Sequence, residues 1–532
     1  MAESETPESS ALTAEIAAQV EEWSTNSNEA FTISLVRDGR KAEAASFNPQ
    51  FTYPIFGEQE VIFGYRGLKI DLAFAAHNLQ PHLQIKWNKQ FPGIGDVKPT
   101  DVHAALQGFL PSSAFTDDPR SAILSRSITA GWTPPGELVE EYKIGDDAYE
   151  LYEAPLDNPR AREILENMQI LVPLFIEGGS ALELDQEWTT ERWKLYLLYQ
   201  VHTGVDASRE TPYSLIGYST AYRVFTLPSR DMPLEDWIDL PQPRNWDLGS
   251  ILWAQPENPP PSFKSPLSLP CRERLSQFLI LPPYQGSGHG ARLYNAMFSR
   301  LTAPSNVLEF TVEDPNEAFD DMRDVCDLTY LRATNPDFAS LSINTNIPAA
   351  QLRRSEPIPS SAIVNEETKS RVRLASKIMP RQLARLVEMQ TLSRIPRLHR
   401  STSRITRKEK STNEHDRAYY FWRLYVKQRL YDTNRDTLNQ LDHEERVEKL
   451  EATAENVKLD YERLFEMAER RERSSAAQKG KGKETTKETR RSKAKRVVVE
   501  DEDEDEEWET EDGAQDSDGE EAKRAGKRRK IA

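Results

Sequence analysis

A chain of 532 residues with a formal net charge of −18 has room for two or three folded units of ~100–200 residues each. Its 38% hydrophobic and 29% charged residues are too lean for one uniform core, and nine of the ten Trp precede Tyr461, so a normal core is diluted by polar segments. Two cysteines, eight scattered histidines and no apolar run near the ~18 residues of a membrane span exclude a disulfide framework, a cysteine-based zinc site and a membrane anchor, and no metal is expected.

Residues 1–10 are acidic and polar, which predicts disorder and argues against a secretory or mitochondrial leader. Alternation over 31–36 and 61–72 predicts strands. Residues 160–168 read as a helix leading into the apolar run 170–176, and 193–201 and 214–225 as two further strands. Trp188 and Trp193 are expected to pack in the core. The stretch 228–270 is rich in proline and reads as an extended loop. A strand is predicted over 274–281, stopped by Pro282 and Pro283. A glycine-rich turn, a helix over 291–301, a strand over 307–312 and a helix over 316–328 follow.

Beyond Arg353 the sequence becomes charged and helix-favouring, with amphipathic stripes over 381–392 and 416–430. Val447, Leu450, Ala454, Val457, Tyr461 and Leu464 mark one face of a single helix, packed on its neighbours or offered to a partner. From Glu472 onward the composition supports no core. Charge divides in the same way: residues 1–352 net −23, 353–471 net +7 and 472–532 net −2, the last holding fifteen acids between Glu500 and Glu521. So acidic an apolar-rich region repels nucleic acid and favours a basic partner.

The chemistry concentrates in Gln277-Phe-Leu-Ile-Leu-Pro-Pro-Tyr-Gln-Gly-Ser-Gly-His-Gly-Ala-Arg. A strand runs into a loop with Gly286, Gly288 and Gly290, and a helix starts at once. Glycines there let backbone N–H groups approach an anion, and the helix N-terminus adds unpaired donors. A phosphate or pyrophosphate is the natural ligand, against a merely tight turn. No Gly-x-x-x-x-Gly-Lys occurs. Gly286-x-Gly288-x-x-Ala291, with Glu309 further on, formally satisfies a dinucleotide fingerprint, but Pro282–Tyr284 and Gln285 separate it from its strand.

Gln285-Gly-Ser-Gly-His-Gly resembles the acetyl-CoA pyrophosphate loop of GNAT-type N-acetyltransferases. With Phe310-Thr-Val-Glu-Asp-Pro-Asn-Glu downstream, and Phe56-Gly-Glu-Gln-Glu-Val-Ile-Phe-Gly-Tyr-Arg-Gly and Leu174-Phe-Ile-Glu upstream, it is similar to the type B histone acetyltransferase catalytic subunits over residues 10–390, the sequence from about Arg400 lying outside. The resemblance implies an α+β fold: a GNAT-type mixed sheet with flanking helices over 151–345, after a smaller mixed, histone-binding domain over 11–150. A helical region over 346–471 and a disordered tail over 472–532 follow.

It also implies acetyl-CoA as co-substrate, held by Phe278, Leu279 and Ile280 along the strand, by Gln285, Gly286, Ser287, Gly288, His289, Gly290 and Ala291 in the loop, and by Asn316. Glu313 is similar to the family's general base, with Glu177 and Asp314 as neighbouring candidates. Glu58, Gln59, Glu60, Trp193, Tyr222, Arg223 and Val224 fall where the family grips its histone tail. A basic residue that fungal relatives carry near Val325 is absent. The implied partners are the histone four N-terminal tail and a WD40-repeat histone-binding subunit, with no direct contact to nucleic acid or membrane.

A lysine with pKa near ~10.4 is neutral in only about one copy in 10³ at pH 7, so a general base is required. The amide hydrogens over 279–281 are expected to meet the oxyanion. Glu313 and Asp314 could instead only cap the following helix, Pro315 standing in its first turn. His289 is read as serving loop geometry rather than as a base. Neither Cys271 nor Cys326 sits like a nucleophile, so direct attack in a ternary complex is expected. A non-catalytic acidic histone escort is the competing reading, and a nicotinamide oxidoreductase the third. Basic clusters at 490–496 and 523–530 suggest nuclear import, and so a protein shared between cytoplasm and nucleus.

Overall fold

The computed structural model describes residues 20–37, 40–41, 46–116, 131–182, 190–204, 211–226, 267, 270–353 and 356–491. Within them the strands are β1 (Ser24–Asn26), β2 (Phe31–Arg37), β3 (Arg40–Lys41), β4 (Val61–Phe63), β5 (Tyr65–Arg66), β6 (Lys69–Ala75), β7 (Pro81–Lys86), β8 (Lys89–Gln90), β9 (Glu137–Ile144), β10 (Asp147–Pro155), β11 (Trp193–Val201), β12 (Tyr213–Phe225), β13 (Cys271–Ile280) and β14 (Val307–Val312). The single strand expected over 61–72 is broken into β4, β5 and β6. Gly64 and Gly67 have φ of +96° and +66°, and a Cβ at Gly64 would stand 2.5 Å from Pro99.

A four-stranded sheet ordered β3-β2-β6-β7 makes the N-terminal layer, and β1–β4 and β5–β8 form two short ribbons. The larger sheet runs β14-β13-β12-β11-β10-β9, antiparallel except for its last pair, β13 and β14, which are parallel. The expected boundary at residue 150 falls inside β10, which with β9 belongs to this larger sheet.

Both faces of the larger sheet are buried at its central strands β11 and β12, which explains the apolar run 195–199 of β11. Leu195, Leu197 and Tyr199 point to a core shared with the N-terminal layer, together with α1 (Pro159–Met168) and α2 (Leu171–Phe175). Tyr196 and Leu198, alternating with them, point to a second core against α3 (His289–Thr302) and α4 (Glu317–Thr334). The run at 170–176 is therefore a short buried helix. It follows α1 closely, whose start is fixed by Asn158, the side-chain oxygen accepting from the amides of Arg160 and Ala161.

The second core continues through α5 (Pro380–Ser393), α6 (Glu414–Thr433) and α7 (His443–Arg491). Its hub is Glu388, wholly buried, which accepts from Arg429 at 2.6 and 2.9 Å and from the Tyr461 hydroxyl at 2.8 Å. The Trp422 indole N–H donates to the Glu388 carbonyl at 2.9 Å. Of the predicted stripe on α7, Ala454, Tyr461 and Leu464 are buried and Leu450 and Val457 half-buried, whereas Val447 is exposed. Packing thus takes up most of that stripe.

Residues up to Glu469 form one compact unit and those from Arg470 another, and α7 runs past the boundary expected at 472. Residues 1–10, Trp188, most of the proline-rich stretch, the acidic run at 500–521 and the second basic cluster lie outside the described residues. Among the described residues, no helix is long and apolar enough to cross a membrane, and no group of His, Cys, Asp and Glu is placed to hold a metal.

Candidate active site

The parallel pair β13 and β14 runs only from Cys271–Val307 to Leu275–Val312, with a one-residue register shift after Cys271. The Glu313 amide makes the last link, donating to the Leu275 carbonyl at 2.9 Å. Beyond it β13 continues alone, bonded only to β12 on its other side through Phe278–Ser219, Leu279–Tyr218 and Ile280–Gly217. The Leu281 amide donates to Ile216 at 2.9 Å. Strand residues two apart point the same way, so Leu279 also turns its backbone to β12, and Phe278 and Ile280 turn theirs to the open side. The expectation that the amides of 279–281 meet an oxyanion is corrected accordingly. Those of Leu279 and Leu281 are committed to the sheet, and Ile280 alone of the three faces the gap.

At the mouth of this gap, Pro282–Tyr284 form a short 3₁₀ turn and the Gln285 side chain donates back to the Ile280 carbonyl at 2.8 Å. Gly286 and Gly288 follow with φ of +76° and +88°, and nothing lies within 4 Å of where a Cβ on either would stand. Gly288 caps α3 without a side chain, and no acid sits in the first turn of α3. The N-terminus of α3 therefore has no side-chain cap, an arrangement whose free amides and positive end suit an anion. Gly290 answers to a different need, since a Cβ there would stand 3.0 Å from the Met322 sulfur of α4. Ser287 is exposed, Ala291 is half-buried, and Asn316 caps α4 by accepting from the Phe319 amide at 2.9 Å.

His289 is held as a neutral anchor. It is buried against Tyr149 at 4.5 Å, and its Nδ1 lies 2.7 Å from the Tyr142 hydroxyl. Burial, with Arg292 nearby, pushes its pKa down to about 4. The loop is thereby pinned to the β9–β10 hairpin, 147 residues away in sequence.

The other wall is a row of cross-strand partners: Trp193 opposite Tyr222, and Tyr222 opposite Arg274. Trp193 and Tyr222 stack at 4.4 Å, and the Arg274 guanidinium lies 6.0 Å from the Tyr222 ring centroid. Glu313 ends the row, accepting from the Tyr222 hydroxyl at 3.2 Å with Arg274 Nη1 4.0 Å away. Burial raises the Tyr222 pKa, so the phenol stays protonated as a donor. The partly exposed Glu313 carboxylate thus stands at the point where the two strands part.

The remaining predicted residues disperse. Asp314 is exposed in a turn with φ +35°. Glu177 is exposed on the turn after α2, a segment tied to β13 where the Gln277 side-chain Nε2 donates to the Ser180 carbonyl at 3.0 Å. Among the described residues no hydrogen bond or ion pair joins it to Glu313. Arg223 points through the opposite face from Tyr222 and Val224, forked onto Glu273 at 2.8 and 2.6 Å. The Glu60 carboxylate is spent on the Thr52 amide at 2.6 Å and on Asn28 at 2.8 Å, leaving Glu58 and Gln59 exposed beside it. Val325 lies in the helical core. Cys271 is buried, its thiol pushed up to about 11, and Cys326 is buried too. Arg274 was missed by sequence reasoning; its one signal was its place in β13, on the same face as Tyr222.

Residues 23–177 match the family described as "Histone acetyl transferase HAT1 N-terminus". The chain is similar to the "Histone acetyltransferase type B catalytic subunit" of Aspergillus oryzae, 39% identical over 471 residues, with 86% of this chain and 88% of the relative covered. The protein of that name from Pyricularia oryzae is 39% identical over 463 residues, covering 86% and 93%. That from Candida albicans is 31% identical over 461 residues, covering 86% and 93%. Each match takes in more of the chain than residues 10–390 hold, so the likeness extends past Arg400, contrary to the expectation from motifs.

Proposed function

The chain belongs to the family of type B histone acetyltransferase catalytic subunits, and from that membership we propose that it acetylates lysines in the N-terminal tail of newly made histone four, before deposition in chromatin, using acetyl-CoA. The observation that carries this reading is the parting of β13 and β14, with a glycine loop at its mouth and Glu313 at its apex. The fit to acetyl-CoA rests on main chain. The open edge of Phe278 and the Ile280 N–H suit an amide-bearing pantetheine arm, the Ile280 carbonyl already accepting from Gln285, and the amides around Gly286 and Gly288 suit a pyrophosphate.

A lysine entering beside Trp193 and Tyr222 meets Glu313, which takes its proton directly or through water. The amine attacks the thioester carbonyl, the N–C bond forms, the C–S bond breaks, and the second proton of the nitrogen passes to the departing thiolate of coenzyme A, leaving a neutral amide and the free thiol. The Ile280 N–H faces the gap where the oxyanion would develop. The buried Cys271 with its raised pKa supports direct transfer in a ternary complex over an acyl-enzyme. The net −23 of residues 1–352 suits so basic a substrate, and a WD40-repeat histone-binding subunit and a distribution between cytoplasm and nucleus complete the proposal.

The test is acetyl transfer to a histone-four tail peptide. Acetyl-CoA-dependent incorporation that is lost in Glu313→Gln supports the reading. Tight binding of the peptide without turnover would instead indicate an acidic escort on the same fold.

A further inference from the structure

Helix α4 starts just after Glu313, and its first turns wall the groove. Phe319 packs edge-on against Phe278 at 5.0 Å, and Met322 closes over Gly290. The same turns carry Asp321 and Asp324, and both are held from the C-terminal helices. Arg463 of α7 forks onto Asp321, with Nη1–Oδ2 2.5 Å and Nη2–Oδ1 2.7 Å, and also donates to Asp460 at 2.6 Å. Asp460 lies 3.7 Å from Arg385 of α5, and Arg385 donates to Asp324 at 2.6 and 3.2 Å. Gln382 adds bonds to Asp324 at 2.9 Å and to Asp327 at 3.1 Å, and Asp327 accepts from the Tyr294 hydroxyl of α3 at 2.7 Å.

Five side chains thus alternate in charge, Asp321, Arg463, Asp460, Arg385 and Asp324, across three helices. Forked pairs within a network fix geometry where an isolated surface pair would not. The row ends within a turn of the residues that touch the cofactor strand and loop. A displacement of α4 at Asp321 would carry Phe319 and Met322 with it, since all three sit on neighbouring turns of one rigid helix.

We propose that Arg463 is a positioning residue for acetyl-CoA: through Asp321 it holds the first turns of α4 against β13 and the glycine loop, so that a helix remote in sequence sets the width of the cofactor groove. This rests on the acetyl-CoA reading of the groove.

The test compares full-length wild type, Arg463→Glu and Arg463→Lys for kcat and for the KM of acetyl-CoA and of a histone-four tail peptide. Arg463→Glu places a third acid beside Asp321 and Asp460. It is expected to raise the acetyl-CoA KM about fivefold while the peptide KM stays within about twofold. Lysine keeps the charge but not the fork, so it should recover about half of that loss. A general loss of folded protein lowers apparent kcat and leaves KM fixed, and that result, or an unchanged acetyl-CoA KM, overturns the proposal. Should Arg463→Glu fail to fold, Arg463→Met gives the same reading with a smaller rise. The two readings fail differently: wild type that binds no acetyl-CoA in calorimetry overturns the groove itself, and normal binding shared equally by the variants overturns only the brace.

Discussion

Gly286 and Gly288 present bare main chain to the groove, with φ of +76° and +88° and open space where a side chain would stand. Across from them, Trp193, Tyr222, Arg274 and Glu313 present side chains set in line by strand register. The loop owes its chemistry to conformation, which most residues in it do not alter and which a Cβ at two positions would strain. The row owes its chemistry to functional groups, each replaceable without disturbing the backbone. Substitutions on the two sides should therefore fail in different kinetic constants.

The largest effect is expected on the side-chain wall. Glu313→Gln keeps shape and removes the carboxylate proposed as the base, so turnover should fall by about 10²–10⁴-fold while acetyl-CoA binding by calorimetry stays near wild type. Unchanged turnover across a pH series would pass the role to Glu177 or Asp314. Gly288→Val should show the reverse. A β-branched residue at φ +88° costs about 1–3 kcal/mol, so acetyl-CoA affinity should drop by about tenfold or more before any intrinsic change in chemistry. Normal cofactor binding in that variant would break the distinction between the two walls.

The anchor of the loop should show itself in pH. The His289 pKa is depressed from 6.5 to about 4 by burial, so this group contributes stability that is present in full above pH 6.5 and lost as pH falls through 4. Wild type should lose stability over that window, read as the urea midpoint against pH, and His289→Asn should give a flatter curve that starts lower. Parallel curves would mean that the imidazole is not held neutral. Ser287→Ala should do least: the side chain is exposed, and about twofold or less is expected in any constant if the loop acts through its main chain.

Much of this was present in local sequence. The glycine spacing and its position between a strand and a helix placed the loop, whereas Glu313 was set before Asp314 and Glu177 by the family resemblance and not by any local signal. Strand periodicity found β11 to β14 because the β-branched and aromatic residues there leave few alternatives. The candidates drawn from the histone-gripping positions fared differently. Glu60 and Arg223 proved to be engaged with their own fold, because a charged residue in sequence carries no sign of whether a buried partner awaits it. Likewise, nothing near His289 foretold Tyr142, and nothing near Arg463 foretold Asp321.

The sequence by itself determined the secondary structure around the site and the left-handed positions of Gly286 and Gly288, since each depends on neighbours within a few residues. Only the tertiary structure decided which side of β13 is open, which carboxylate stands at the parting of the strands, and that a helix past residue 400 pairs with the first turns of α4. Those outcomes depend on register, on which face of a strand is covered, and on charges paired between elements more than a hundred residues apart. Such pairings are chosen by the free energy of burying both partners together, which no local stretch of chain encodes.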